Sequence, residues 1–227
     1  VEESIEDRDV GFPVRMVVED TMPRDMIRLF GKNLKLDPIQ IHSTDAIRLV
    51  DLWELYNLNR PKLKYKKFDP YTPPELSEGM DLFEAIKSRD WFLFHPYESF
   101  STIVRLVSDA ADDPNVMSIK ICLYRIGNDP SLIRSLIRAR ENGKTVSVLM
   151  ELRAKFDETN NIKWARQLES IGVHVVYGPL DLKVHSKLLQ IVRLEGEKLV
   201  RYTHMSSGNY NTSTAKQYGD ISFLTAN

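Results

Sequence analysis

At 227 residues the chain is larger than one typical domain and smaller than two, so a single sizeable α/β unit with part of a neighbour is the expectation. Its 42% hydrophobic and 28% charged content excludes collagen-like, low-complexity and wholly disordered chains, and no apolar run approaches the roughly 18 residues of a membrane span. A net charge of −1 excludes a polyanion partner as an inference from overall charge, and the lone cysteine, Cys122, leaves no intrachain disulfide and suits a reducing cytoplasm.

The distribution of charge says more than its sum. Residues 1 to 30 carry eight acidic and four basic side chains, whereas residues 183 to 216 carry six basic against two acidic. An anion site is therefore to be sought in the C-terminal third. The acidic leader VEESIEDRDV is read as no signal peptide. VRMVVED at 14 to 20 alternates as a strand does, a helix is expected from about Pro23 to Phe30, and LDPIQIH follows at 36 to 42. These elements read as the tail of a small α/β domain. Residues 45 to 58 read as a helix, and residues 59 to 79, with Pro61, Pro70, Pro73 and Pro74, as an extended connector whose basic RPKLKYKK run is solvated. The domain boundary is placed there, giving segments 1–75 and 76–227.

From Trp91 onward strands alternate with helices, the signature of a sheet with crossover helices. The strand candidates are VMSIKICLY (116 to 124), TVSVLMEL (145 to 152), VHVVY (173 to 177), KLLQIV (187 to 192), LVRYTHM (199 to 205) and ISFLT (221 to 225). Three helices lie between them. One runs from about Ser99 to Ala111. A second has Asp129 as N-cap, Pro130 at its first position and an apolar stripe of Leu132, Ile133, Leu136 and Ile137. A third, about Asn160 to Ile171, stops at Gly172 and buries Ile162, Ala165, Leu168 and Ile171. Cys122, Trp91, Trp164 and His174 read as packing residues.

The sequence has no Walker motif, no GxGxxG, no CxxC and no HExxH. One short motif carries chemistry: in KVHSKLLQIV, His185 and Lys187 stand two apart at the mouth of a strand, so both side chains share a face. That pairing is unfavourable for a core, because a buried ammonium must find a partner or lose its proton. It suits phosphate chemistry, since neutral imidazole is a nucleophile and lysine neutralises phosphoryl oxygens. The small-residue turn SSGNYN at 206 to 211 offers backbone N–H groups to an anion. His204, beside it, is placed to orient the turn or His185, and His95 to assist an anion at the helix that follows.

An HxK pair followed by a small-residue turn with an asparagine resembles the half-site of the phospholipase D superfamily. That half-site carries an Asp five residues after the Lys, where this chain has Val192. ELRAKFDETNNIKWARQLESIGVHVVYG, LKVHSK and RYTHMSSGNYNTSTAKQYGDISFLTA, with DLWELYNLNRPKLKY and FLFHPYESF, are similar to the polyphosphate kinase family. The resemblance covers the chain from about residue 12. It implies an α/β fold, a phospholipase D-like mixed sheet with flanking helices preceded by part of a smaller α/β domain. Segment 1–75 is then the end of a middle domain plus connector, and 76–227 most of the first catalytic domain. The chain is thereby expected to be a fragment, inactive alone, of an ATP:polyphosphate phosphotransferase.

The resemblance also implies roles. His185 matches the phosphorylated histidine, with Lys187 beside it; Arg125, in LYRIGND, matches an arginine of the phosphate and magnesium site. Lys155 stands in ELRAK where the family has a second such arginine, and Arg153, on the same strand face, is the alternative. Both sites touch the metal only through phosphate, because their side chains have donors only. Tyr218 matches a nucleotide-contacting tyrosine. ATP, ADP, polyphosphate and Mg2+ are the implied substrates and cofactor, with no nucleic acid, a homo-oligomeric full-length enzyme and a cytoplasmic location compatible with membrane association. Two alternatives stand beside this reading, a phospholipase D-type phosphodiesterase or nuclease and a noncatalytic polyanion-binding module.

Overall fold

The computed structural model describes residues 11–44, 49–127, 129–154, 157–179 and 182–226. The described residues up to 68 form one compact unit and those from 69 onward another. In the first, β1 (Met16–Glu19) and β2 (Ile41–Thr44) pair in parallel, Met16 opposite Ile41, with α1 (Arg24–Asn33) between them in sequence. A parallel pair needs such a crossover. The expected helix over 45 to 58 is found as α2 (Leu52–Asn57) after a 3-10 turn, while 45–48 lie outside the described residues, as does the leader 1–10. The connector holds only short 3-10 turns, at Pro61–Leu63 and Pro74–Leu76.

The second unit is built on seven strands: β3 (Trp91–His95), β4 (Val116–Leu123), β5 (Thr145–Met150), β6 (His174–Tyr177), β7 (Leu188–Glu195), β8 (Lys198–Ser206) and β9 (Asp220–Ala226). Their order in the sheet is β3-β9-β8-β7-β4-β5-β6. β4, β5 and β6 run parallel, and the remaining neighbours pair antiparallel. The sheet is mixed, with flanking helices, as the family resemblance implies. The helices are α3 (Leu82–Ser88), α4 (Ser101–Asp112), α5 (Ser131–Glu141) and α6 (Glu158–Ser170).

Each helix forms for a legible reason. In α4, Ile103, Leu106, Val107, Ala110 and Ala111 recur at helical spacing and are fully buried. In α5, Leu132, Ile133 and Leu136 are buried, and the Asp129 carboxylate accepts the Ser131 N–H at 2.9 Å. Pro130 therefore precedes the helix rather than opening it. α6 buries Ala165, Leu168 and Asn161, with Ile162 and Ile171 only half-buried. α3 and β3 are the elements the sequence reading did not single out; Asp81 caps α3 by accepting from Phe83 and Glu84. These helices and the inward strand positions form one apolar cluster that includes Ile119, Val148, Leu189, Ile191 and Leu224. Each fully buried aliphatic contributes about 1.5–3 kcal/mol.

The alternate strand positions lie outside that cluster. Phe92, Phe94, Met205, Ile221 and Val176 stay exposed. Cys122, expected in the core, is only half-buried because it faces this side, beside Lys120, Ser147 and Gln190. His174, expected to pack, is exposed on the edge strand β6.

Candidate phosphoryl-transfer site

One end of the sheet gathers the loops that follow β3, β4, β5, β6 and β8 and precede β7 and β9. In parallel-stranded sheets the carboxyl ends of the strands are where ligands bind, because the loops there converge. His185 is exposed in the extended segment entering β7, and Lys187 is 6% exposed beneath it. The Lys187 Nζ lies 2.9 Å from Nδ1 and 3.1 Å from Nε2 of His185 and donates to the His185 carbonyl at 2.6 Å. An ammonium donates only, so the nitrogen it meets carries a lone pair. Burial pushes the His185 pKa below its ordinary value, and the positive charges of Lys187, Lys183 and Arg125 push it further. Burial likewise lowers the Lys187 pKa, with Asp220 opposing and Arg125 assisting.

Tyr124 organises these cations. Its ring meets the His185 ring edge-on, centroids 4.7 Å apart at 75°. Lys187, Lys183 and the Arg125 guanidinium lie 5.3, 5.4 and 5.4 Å from the Tyr124 centroid, within cation–π range. Arg125 Nε lies 3.9 Å from Asp157, whose carboxyl is raised by burial and lowered by that guanidinium. The arrangement is an exposed imidazole whose charged neighbours Lys187, Lys183 and Arg125 all disfavour its protonation.

The structure brings together His185, Lys187 and Arg125. Tyr218 sits exposed on the loop before β9, at the same end of the sheet, and no contact joins it to His185 among the described residues. Lys155 lies outside the described residues. Arg153 does not project along a continuing strand, because β5 stops at Met150. Its guanidinium donates to the carbonyls of Pro179, at 3.2 Å, and of Leu182.

Several N–H groups of the SSGNYN turn are already committed within the fold. The N–H of Ser207 donates to Ile221, that of Gly208 to Ser206 Oγ and that of Asn211 to Asn209. The turn is also locked from below. Tyr210 Oη meets His204 Nδ1 at 2.8 Å; His204 Nε2 and His95 Nε2 each lie 2.9 Å from Ser222 Oγ; His95 Nδ1 lies 2.7 Å from the Glu98 carbonyl. That carbonyl requires a protonated His95 Nδ1, so each group can donate to the next from Tyr210 onward with both imidazoles neutral. Burial pushes His204 down to about 3. His204 thus orients the turn, as one of the two expected roles had it, whereas His95 is 2% exposed and serves this network rather than an anion. Gly127 closes the junction between loops: its φ is +70°, and a Cβ there would come 2.5 Å from Asn211 Nδ2.

Tyr124, Lys183, Glu151 and Asn161 are residues the sequence reading did not assign. Tyr124 and Lys183 adjoin motifs already singled out, LYRIGND and LKVHSK. Among the described residues no three His, Cys, Asp or Glu side chains cluster to hold a metal. The donors around His185 are ammonium and guanidinium groups, which cannot ligate one. Among the described residues no helix is long and apolar enough to cross a membrane.

Comparison with known proteins supplies the context. The family described as polyphosphate kinase C-terminal domain 1 matches residues 81–227. The chain is 46% identical over 228 residues to polyphosphate kinase of Prosthecochloris aestuarii, covering 100% of this chain and 32% of that protein. It is 43% identical to polyphosphate kinase 1 of Chlorobaculum tepidum, covering 99% and 32%. The crystal structure of polyphosphate kinase from Porphyromonas gingivalis superimposes with a TM-score of 0.76 at 31% identity, over 96% of this chain and 33% of that one. The chain spans about a third of the length of the curated relatives it matches.

Proposed function

The chain belongs to the polyphosphate kinase family through its C-terminal domain 1, and from that premise we propose that it carries the phosphoryl-accepting half of an ATP:polyphosphate phosphotransferase. A ring nitrogen of His185 attacks the γ-phosphorus of ATP; the N–P bond forms as the bond to the β,γ-bridging oxygen breaks, and ADP leaves. A terminal oxygen of polyphosphate then attacks the same phosphorus, the N–P bond breaks, and neutral imidazole returns. The sequence runs in reverse to regenerate ATP. The single observation that carries this reading is the exposed His185 with its pKa held down among Lys187, Lys183 and Arg125, since a neutral imidazole keeps its lone pair where surrounding cations draw phosphate in.

In this reading Lys187 and Arg125 spread charge on the transferring phosphoryl group and Tyr218 contacts the nucleotide. Lys155 rather than Arg153 takes the remaining phosphate contact, which the commitment of Arg153 to the Pro179 and Leu182 carbonyls supports. The described side chains do not fit a protein-held magnesium; the ion would arrive with the ATP phosphates and meet Arg125 and Lys155 only through phosphate oxygens. Segment 1–75 is the end of a middle domain and 76–227 most of the first catalytic domain, in a homo-oligomeric cytoplasmic enzyme. The phosphodiesterase alternative loses ground to Val192, half-buried where that chemistry uses an Asp.

Replacing His185 by Ala in the full-length enzyme tests this. The expected outcome is loss of polymer synthesis, ATP regeneration and the acid-labile, base-stable label from γ-labelled ATP. Label retained at another residue would reassign the nucleophile.

A further inference from the structure

We propose that Glu151 is the positioning residue for His185. This rests on the reading of His185 as nucleophile. Glu151 directly follows the last residue of β5 and is 2% exposed, a burial that is costly for a carboxylate unless each oxygen is hydrogen-bonded. Both are. Oε1 accepts the Arg153 N–H at 2.9 Å, and Oε2 accepts the N–H of Val184 at 2.7 Å. Val184 is the residue before His185, so the carboxylate grips the backbone one residue ahead of the imidazole.

No other backbone N–H from 182 to 186 has a partner among the described residues. Strand pairing begins at Leu188. The carboxylate therefore does for this segment what a neighbouring strand does elsewhere. Its own mount is stiff: the Glu151 N–H donates to the Leu123 carbonyl at 3.0 Å. The Asn161 amide donates to the Glu151 carbonyl at 2.9 Å and to that of Tyr124 at 2.7 Å. Glu151 and Asn161 thus fix the nucleophile segment and the loop carrying Tyr124 and Arg125 in one frame. Gly178 closes the third side, where a Cβ would come 3.2 Å from Glu151 Oε2 and 3.1 Å from Val184. In-line attack depends on such placement, and an error of about 1 Å costs on the order of a hundredfold.

The experiment is single-turnover labelling of full-length enzyme by γ-labelled ATP, with the labelled residue identified by mass spectrometry. Glu151→Gln keeps the shape but presents an amide N–H to one of the two backbone donors. Its maximal labelling rate should fall roughly tenfold to a hundredfold, with the half-saturating ATP concentration within about threefold of wild type. Gly178→Ala presses on the same contact without removing charge and should give the same split at roughly threefold to tenfold in rate. It remains informative if Glu151→Gln does not fold. Label on His185 at the wild-type rate in either folded variant overturns the proposal, as does a rate loss matched by weaker ATP binding. Label on a residue other than His185 in the wild type overturns the reading of the nucleophile itself.

Discussion

The two ends of the seven-stranded sheet hold similar residues in opposite states. At the end where β7 turns into β8, Arg193 bridges Asp113 at 2.8 Å and Glu195 at 3.0 Å, Lys87 reaches Glu195 at 2.5 Å, and Tyr202 donates to the same carboxylate. Lys87, then Tyr202 and Arg193, pull the Glu195 pKa down to about 2. At the other end His185, Lys187, Lys183 and Arg125 surround Tyr124, with Asp157, Asp220 and the backbone-bound Glu151 among the nearby acids. The basic excess of residues 183 to 216 is therefore split: Arg193 is neutralised far from the site, while Lys183 and Lys187 stay beside the imidazole. One end uses charge to hold the fold, the other leaves charge available to a ligand, and a net charge summed along the sequence cannot tell them apart.

Substitutions at the two ends should separate these uses. The largest effect is expected at the site end. Lys155→Ala in the full-length enzyme should slow His185 labelling by roughly tenfold to a hundredfold, the value of a lost charge-assisted contact. Arg153→Ala should act through the loop it holds and do less; the reverse ranking in the same labelling assay would transfer the phosphate contact to Arg153.

At the far end, Glu195→Gln should cost on the order of 1.5–3 kcal/mol in urea unfolding of the chain, because Arg193 keeps only Asp113. The labelling rate per folded molecule should not change. A slowed rate with intact stability would erase the distinction between the ends.

A smaller effect is graded by pH. Below about 6.5 an unfolded histidine binds a proton, whereas folded His204 stays neutral to about 3. The unfolded state thus holds more protons across that window, and stability should fall as pH drops from 6.5 toward 3. His204→Gln should flatten this part of the urea-unfolding profile; an unchanged slope would locate the acid sensitivity elsewhere.

The smallest change is expected from Lys183→Gln. The neutral fraction of His185 rises with pH, so labelling should rise through an inflection below 6.5 and level off above it. Burial is the main cause of that depression and Lys183 a lesser one. The variant should therefore move the inflection only slightly upward. A downward move would contradict the assigned charge effect.

Strands and crossover helices were legible because β-branched runs and capped apolar stripes are local signals. β3 was not, because WFLFH puts large apolar residues on both faces and hides its alternation, buried at Trp91 and Leu93 but exposed at Phe92 and Phe94. The HxK spacing put His185 and Lys187 on one face, and the turn that follows and the family resemblance gave the pair its weight. Glu151 was hidden: a glutamate at a strand end reads as solvated, and only the fold brings Val184, 33 positions away, onto its oxygen. His95 and His204 were individually ambiguous for the same reason, since Ser222 joins them only once β3, β9 and β8 lie side by side.

The outward sheet face has a colloidal consequence. Phe92 and Phe94 on β3, Ile221 on β9 and Met205 on β8 form an apolar row on adjacent strands, 68%, 49%, 53% and 43% exposed. With a net charge of −1, little long-range repulsion opposes contact between such rows. This face is therefore one route to self-association at high concentration, and a lysine at position 92 or 221 should weaken it. The outer strands β3 and β6, only 5 and 4 residues long, keep sheet-edge pairing a lesser route to self-association.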